Sequence, residues 1–149
     1  MKFLPVLFFL FLLFAFIIPA PHWQNNFELA KQQAAAGHKY ILLNFSGSDW
    51  CGPCIKMHRE IFGNEAFGKF ADEQLIMVNA DFPRLKKNQL TAAQQKQNDS
   101  LAERYNSSGS FPLTLLLSAD GKVIKTWDGF PKESTEVFTA EIKSYVSGN

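Results

Sequence analysis

The sequence predicts an α/β domain, because short apolar runs of strand length alternate with helix-period segments and a hairpin follows the last crossover. Phe27 to Ala36 carries apolar residues at helical spacing and is closed by Gly37. Tyr40-Ile41-Leu42-Leu43-Asn44-Phe45 is a near-continuous apolar run, the pattern of a strand covered on both faces. Ser46 to Asp49 is a loop, Cys51 opens a helix running towards Phe62, and Asn64 caps a further helical turn around Phe67 and Phe70. Leu75–Val78 is a second buried strand. Asn88 to Tyr105 is a Gln-rich helix whose sparse apolar positions, Leu90, Leu101 and Tyr105, leave most of it in solvent. Leu113–Leu117, the turn at Ala119-Asp120-Gly121-Lys122 and Val123–Trp127 make a hairpin, and Glu133 to Val146 closes the chain as a helix with Val137, Phe138, Ile142, Tyr145 and Val146 on one face.

Residues 1–20 stand apart from residues 21–149. Met1-Lys2 is followed by an uncharged stretch from Phe3 to Ile18 with six Phe and five Leu, which reads as an export segment. It is either a cleaved signal peptide or a retained membrane anchor through residues 3–18, and both place the domain outside the cytoplasm, periplasmic or secreted. With Lys2 set aside, the 15 Lys and Arg fall to equal the 14 Asp and Glu. The domain from Pro21 onward is therefore electrically neutral, and the basic footprint that nucleic-acid binding requires is missing. At 149 residues the chain has room for one core.

The chemistry concentrates in Trp50-Cys51-Gly52-Pro53-Cys54, which holds the only 2 cysteines. A structural disulfide in an exported protein stabilises by closing a long loop, and one across two intervening residues closes very little. A C-x-x-C pair at the start of a helix after a strand is instead a redox arrangement. Cys51, at the helix N-terminus, meets unpaired N–H groups that favour its thiolate and is the candidate nucleophile. Cys54, one turn further in, is placed to resolve the mixed disulfide, and Pro53 fits the first turn, where no N–H is needed. Haem attachment would need His after the second Cys, where Ile55 stands. A zinc site from Cys51, Cys54 and His58 would have to span about 10 Å of helix axis, so no metal is expected. His58 reads as a surface or packing residue rather than a base, and Lys56 as an exposed cation that favours the Cys51 thiolate slightly.

With these residues in view, the chain resembles the thioredoxin family from about Phe27 to Val146. Trp50-Cys51-Gly52-Pro53-Cys54 is similar to that family's active-site motif residue for residue, and Gly109-Ser110-Phe111-Pro112 to its cis-proline loop. The resemblance implies a thioredoxin fold with a central mixed β-sheet flanked by helices. It implies a cis Pro112 against the cysteine pair, and substrate contacts from Trp50, Phe111 and Pro112. The export segment and the Gln-rich helix after Asp81 look most like small extracytoplasmic members from bacteria. The family's buried Asp on the strand before the motif, and its partner Lys on the next strand, correspond to Asn44 and Met77. Asp49 is expected to be a solvated loop carboxylate rather than a substitute for that Asp.

The expected function is thiol–disulfide exchange without a bound cofactor, in a monomer whose partners are protein thiols and disulfides. A reductase in an oxidising compartment would also need a membrane electron donor. Gly-Pro between the cysteines resembles the reducing members of the family. A disulfide oxidase or isomerase, and a non-catalytic peptide-binding module, are the alternatives.

Overall fold

The computed structural model describes residues 22–147. Its strands are Trp23–Gln24 (β1), Tyr40–Ser46 (β2), Leu75–Asp81 (β3), Leu113–Leu117 (β4) and Val123–Asp128 (β5). The helices are Phe27–Gly37 (α1), Gly52–Met57 (α2), Glu65–Gln74 (α3), Ala92–Tyr105 (α4) and Thr135–Val146 (α5). The strands form one mixed sheet in the order β1-β3-β2-β4-β5, with β2 parallel to β3 and antiparallel to β4. This is the thioredoxin fold.

The apolar runs take the central positions because both faces of those strands are covered. Every residue of β2 after Tyr40 and all of β4 is buried. Strand alternation splits them between two cores. Leu42 and Leu116 join Met57, Phe62, Phe67, Phe138 and Ile142 beneath α2, α3 and α5. Ile41, Leu43 and Leu115 join Phe27, Ala30 and Leu101 beneath α1 and α4. Each fully buried aromatic such as Phe67 contributes about 1.5–3 kcal/mol relative to an exposed one.

Local signals decide where the helices start. The side-chain oxygens of Asn26, Asn64, Thr91 and Ser134 accept backbone N–H groups one turn ahead. Thr91 rather than Asn88 therefore opens the Gln-rich helix, and Lys86–Asn88 is a separate 3₁₀ turn. Within that helix only Asn98 and Leu101 are buried, in keeping with a mostly solvated element. At the end of α1 it is His38, not Gly37, that takes the left-handed conformation, at φ 52°, and its N–H satisfies the last carbonyls. The helix after Cys51 continues to Phe62 as expected, but residues His58–Phe62 form a π turn. The two-residue strand β1, beside β3, was not foreseen. In the hairpin turn Gly121 adopts φ 86°, and the Tyr105 hydroxyl donates to its carbonyl at 2.8 Å.

The expected boundary at residue 20 and the export segment at residues 3–18 lie outside the described residues. Among the described residues no helix is long and apolar enough to cross a membrane.

Candidate redox site

The end of β2 delivers the chain into a tight loop at which both cysteines are paired. Gly47 receives the N–H groups of Trp50 and Cys51 on its carbonyl, at 3.2 and 2.9 Å. A β-carbon on Gly47 would sit inside the Trp50 indole, so this position has to be glycine for the ring to lie where it does. Cys51 is the N-cap of α2, and Cys54 donates its backbone N–H to the Cys51 sulfur at 3.3 Å. Pro53 occupies the first turn, and Gly52 and Pro53 are exposed on the rim. The two sulfurs form a disulfide, with Cα atoms 5.2 Å apart. Cys51 is 5% exposed and Cys54 0%. The backbone N–H that reaches the Cys51 sulfur in the disulfide is equally placed to stabilise a thiolate there after reduction.

The cis-proline loop arrives from the far end of α4. The Phe111–Pro112 peptide bond is cis, and the Phe111 ring meets Trp50 at 5.4 Å and Phe82 at 5.6 Å. This brings residues 50 and 111 together across the site. The loop is braced by buried Asn106, whose Nδ2 donates to the Ser110 carbonyl while its Oδ1 accepts the Ser110 N–H, both at 2.9 Å. Sequence reasoning missed Asn106, whose only signal is an Asn after a helix end.

Trp50 is held from the other side by the segment after β3. Its Nε1–H donates to the Phe82 carbonyl at 2.7 Å, and the Arg84 guanidinium covers its ring. Asp49 is the solvent-accessible loop carboxylate expected, but it is not free. It accepts the N–H groups of Arg84 and Leu85 at 2.9 and 3.0 Å and the Asn88 side-chain amide at 3.0 Å. The Arg84 N–H foremost, with the Asn88 amide and the Leu85 N–H, keeps its pKa below the usual aspartate value. Lys56 does not turn to the cysteines: its ammonium lies 4.3 Å from the Phe130 ring centroid and 3.8 Å from Glu60.

Behind the cysteines is a polar layer that the sequence reading did not assemble. Asn44 is fully buried; its Nδ2 donates to the Thr114 hydroxyl at 3.0 Å and, at 3.5 Å, towards the Leu113 carbonyl, and its Oδ1 faces His58 Nε2 at 3.2 Å. His58 is thus a partner of Asn44 rather than a surface residue. Its ring packs on Trp23 at 4.9 Å and Phe62 at 5.3 Å. Burial lowers its pKa from the ordinary histidine value, partly offset by the Asp81 carboxylate. The strand register places Asn79, not Met77, beside Asn44.

A two-residue-spaced cysteine pair capping the helix after the central strand, opposite a cis X-Pro bond, is the arrangement of a thiol–disulfide oxidoreductase. Residues 22–119 match the family described as Thioredoxin-like. The chain belongs to that family. It is 35% identical over 122 residues to the disulfide bond reductase DsbH of Chlamydia pneumoniae, covering 82% of this chain and 70% of that protein. The solved structure of a DsbH oxidoreductase superposes with a TM-score of 0.78 at 31% identity, covering 88% of each chain. A thioredoxin from Thermus thermophilus shares the fold with a TM-score of 0.64 at 13% identity, covering 85% of this chain and 87% of that one.

Proposed function

We propose that this protein is a disulfide reductase acting on exported proteins outside the cytoplasmic membrane. In the dithiol form the Cys51 thiolate attacks a substrate disulfide, joins one substrate sulfur and releases the other as a thiolate. Cys54 then loses its proton and attacks the Cys51 sulfur. The Cys51–Cys54 bond forms, the mixed disulfide breaks, and the substrate leaves with both sulfurs reduced. The observation that carries this reading is the position of the pair. Cys51 caps the helix with a backbone N–H on its sulfur, and Cys54 lies one turn behind it. Trp50, Phe111 and Pro112 form the surface on which an extended substrate segment lies. The similarity to a protein named as a disulfide bond reductase favours the reducing direction. Regeneration then requires electrons from a membrane donor, since an extracytoplasmic compartment supplies none.

Two measurements test the reading. Cys51→Ser should abolish reduction of a protein disulfide; peptide binding without turnover, unaffected by that change, would instead identify a binding module. Equilibration of the Cys51–Cys54 pair in thiol buffers should give a potential near −270 mV, about that of thioredoxin. A value above about −180 mV would make the protein an oxidase or isomerase.

A further inference from the structure

The resolving step needs a base, because Cys54 is a neutral thiol until a proton leaves it and its sulfur is shut off from bulk water. The buried polar residue beneath the motif, Asn44, cannot accept a proton. We propose that His58 takes the proton from Cys54 when Cys54 attacks the mixed disulfide. This rests on the exchange chemistry proposed above and assigns one further residue to it.

Two observations, each with one consequence, carry it. His58 donates its backbone N–H to the Cys54 carbonyl, so the two residues are one helical turn apart on the same face. Side chains in a helix lean towards its N-terminus, which inclines the imidazole towards Cys54. The Asn44 amide is oriented by its donation to Thr114 and towards Leu113, so its oxygen is what faces His58. His58 Nε2 must therefore carry the hydrogen, and Nδ1 is left as the ring's proton acceptor.

The protonated ring is also provided for. His58 lines a cavity of about 270 Å³ together with Ser46, Ser48, Ile55 and Asn79. The Ser46 hydroxyl and the Asn79 side-chain oxygen are buried and have no hydrogen-bond partner. These two oxygens offer acceptors, directly or through water, for the second N–H of an imidazolium, while Asn44 keeps the first. Of the groups on the elements packed around the ring, β1 brings uncharged Trp23, β2 brings Asn44 and Ser46, and β3 brings Asn79 and the Asp81 carboxylate. Asp81 is held by the Ser48 N–H at 2.8 Å and the Ser48 hydroxyl at 2.5 Å, and it favours the charged ring. Burial keeps the resting imidazole neutral, which is the form a base must have. On resolution the Cys54 proton passes to Nδ1, the sulfur–sulfur bond of the pair forms, and the departing substrate thiolate takes up a proton from solvent.

The test uses the full chain with Cys51 carrying thionitrobenzoate as a chromogenic mixed disulfide, whose release reports the attack by Cys54 alone. In the wild type the release rate should rise through an inflection below pH 6.5 and then level. His58→Gln keeps a donor for Asn44 but no base. It should lower the neutral-pH rate about 10²-fold and move the inflection to the thiol range near pH 8.5. His58→Glu should restore part of the rate. A His58→Gln profile that superimposes on the wild type would overturn the proposal. Should that variant not fold, the His58 titration followed by NMR in the unsubstituted protein decides: it should differ between the dithiol and disulfide forms, and identical curves would overturn it. Because the chromogenic substrate is artificial, failure here with Cys51→Ser still inactive on protein disulfides removes only the role of His58. Full reduction by Cys51→Ser removes the underlying reading instead.

Discussion

The guanidinium of Arg84 lies 3.6 Å from the centroid of the Trp50 ring, so a residue that follows β3 roofs the side chain that precedes Cys51. The stacking is set up from below. Asp49, the immediate neighbour of Trp50, fixes the backbone of Arg84 and Leu85, and Trp50 itself bonds to the Phe82 carbonyl. Residues 82–88 and the redox loop thus fold against one another as a unit.

Removing the carboxylate should free that unit. Asp49→Ala leaves two backbone N–H groups and the Asn88 amide without their acceptor, so trypsin should cut at Lys86 and Lys87 faster than in the wild type. Arg84→Ala, which removes only the cation–π contact, should cost about 0.5–1 kcal/mol in urea unfolding and leave that cleavage much less affected. Equal cleavage rates in wild type and Asp49→Ala would contradict the clamp.

Gly47→Ala should displace Trp50. The added methyl overlaps the indole, and shifting the ring breaks its bond to Phe82, at a cost of about 1–3 kcal/mol. The change should be read as a loss of stability together with altered Trp50 fluorescence in a variant lacking Trp23 and Trp127. An unshifted spectrum would mean that the loop backbone yields instead.

Asn106 should tolerate neither of two conservative changes. Asn106→Ala removes both bonds to Ser110, and Asn106→Asp keeps the acceptor but sets a carboxylate against the Ser110 carbonyl. Each should destabilise by about 1–3 kcal/mol and slow disulfide reduction through the neighbouring Phe111. Wild-type turnover in both variants would show that the cis-proline loop does not depend on this brace.

Stability should fall on mild acidification. His58 binds a proton less readily in the folded protein than in the unfolded chain, chiefly because burial disfavours the charged ring. The unfolded state then gains protons first. Stability is complete above the ordinary histidine pKa of 6.5 and is lost as pH drops from there towards the folded value. The Tm should decrease between about pH 7 and pH 5.5, before ordinary carboxylates titrate, and His58→Gln should flatten that slope.

What was legible in the sequence was what depends on local pattern. The buried strands announced themselves as apolar runs, Asn64 as a cap, and the hairpin through Asp120-Gly121; the cis peptide was implied by the likeness of the Phe111-Pro112 segment. What was hidden depends on which distant residues become neighbours. The Asp49 clamp joins positions 35 to 39 residues apart, and β1 is too short to carry a periodicity. Met77 corresponds to the family's Lys by likeness alone, and strand pairing sets Asn79, two positions further along the same face of β3, beside Asn44. His58 was read as a surface or packing residue, and its ring does pack on Trp23 and Phe62, but helix position alone does not reveal a partner 14 residues earlier on the central strand.

The π turn at His58–Phe62 resolves a conflict of phase. In a regular helix each residue advances by about 100° around the axis, so the azimuth that seats Cys54 and His58 over the polar layer fixes where Ile61 and Phe62 would fall. The wider turn slips that azimuth by about one residue's worth, and both Ile61 and Phe62 reach the apolar core. Regular winding through these same residues would oblige the helix to choose between its two loyalties. Either the redox end stays in place and Phe62 is thrown to the surface, or the core is kept and Cys54 rotates out of line.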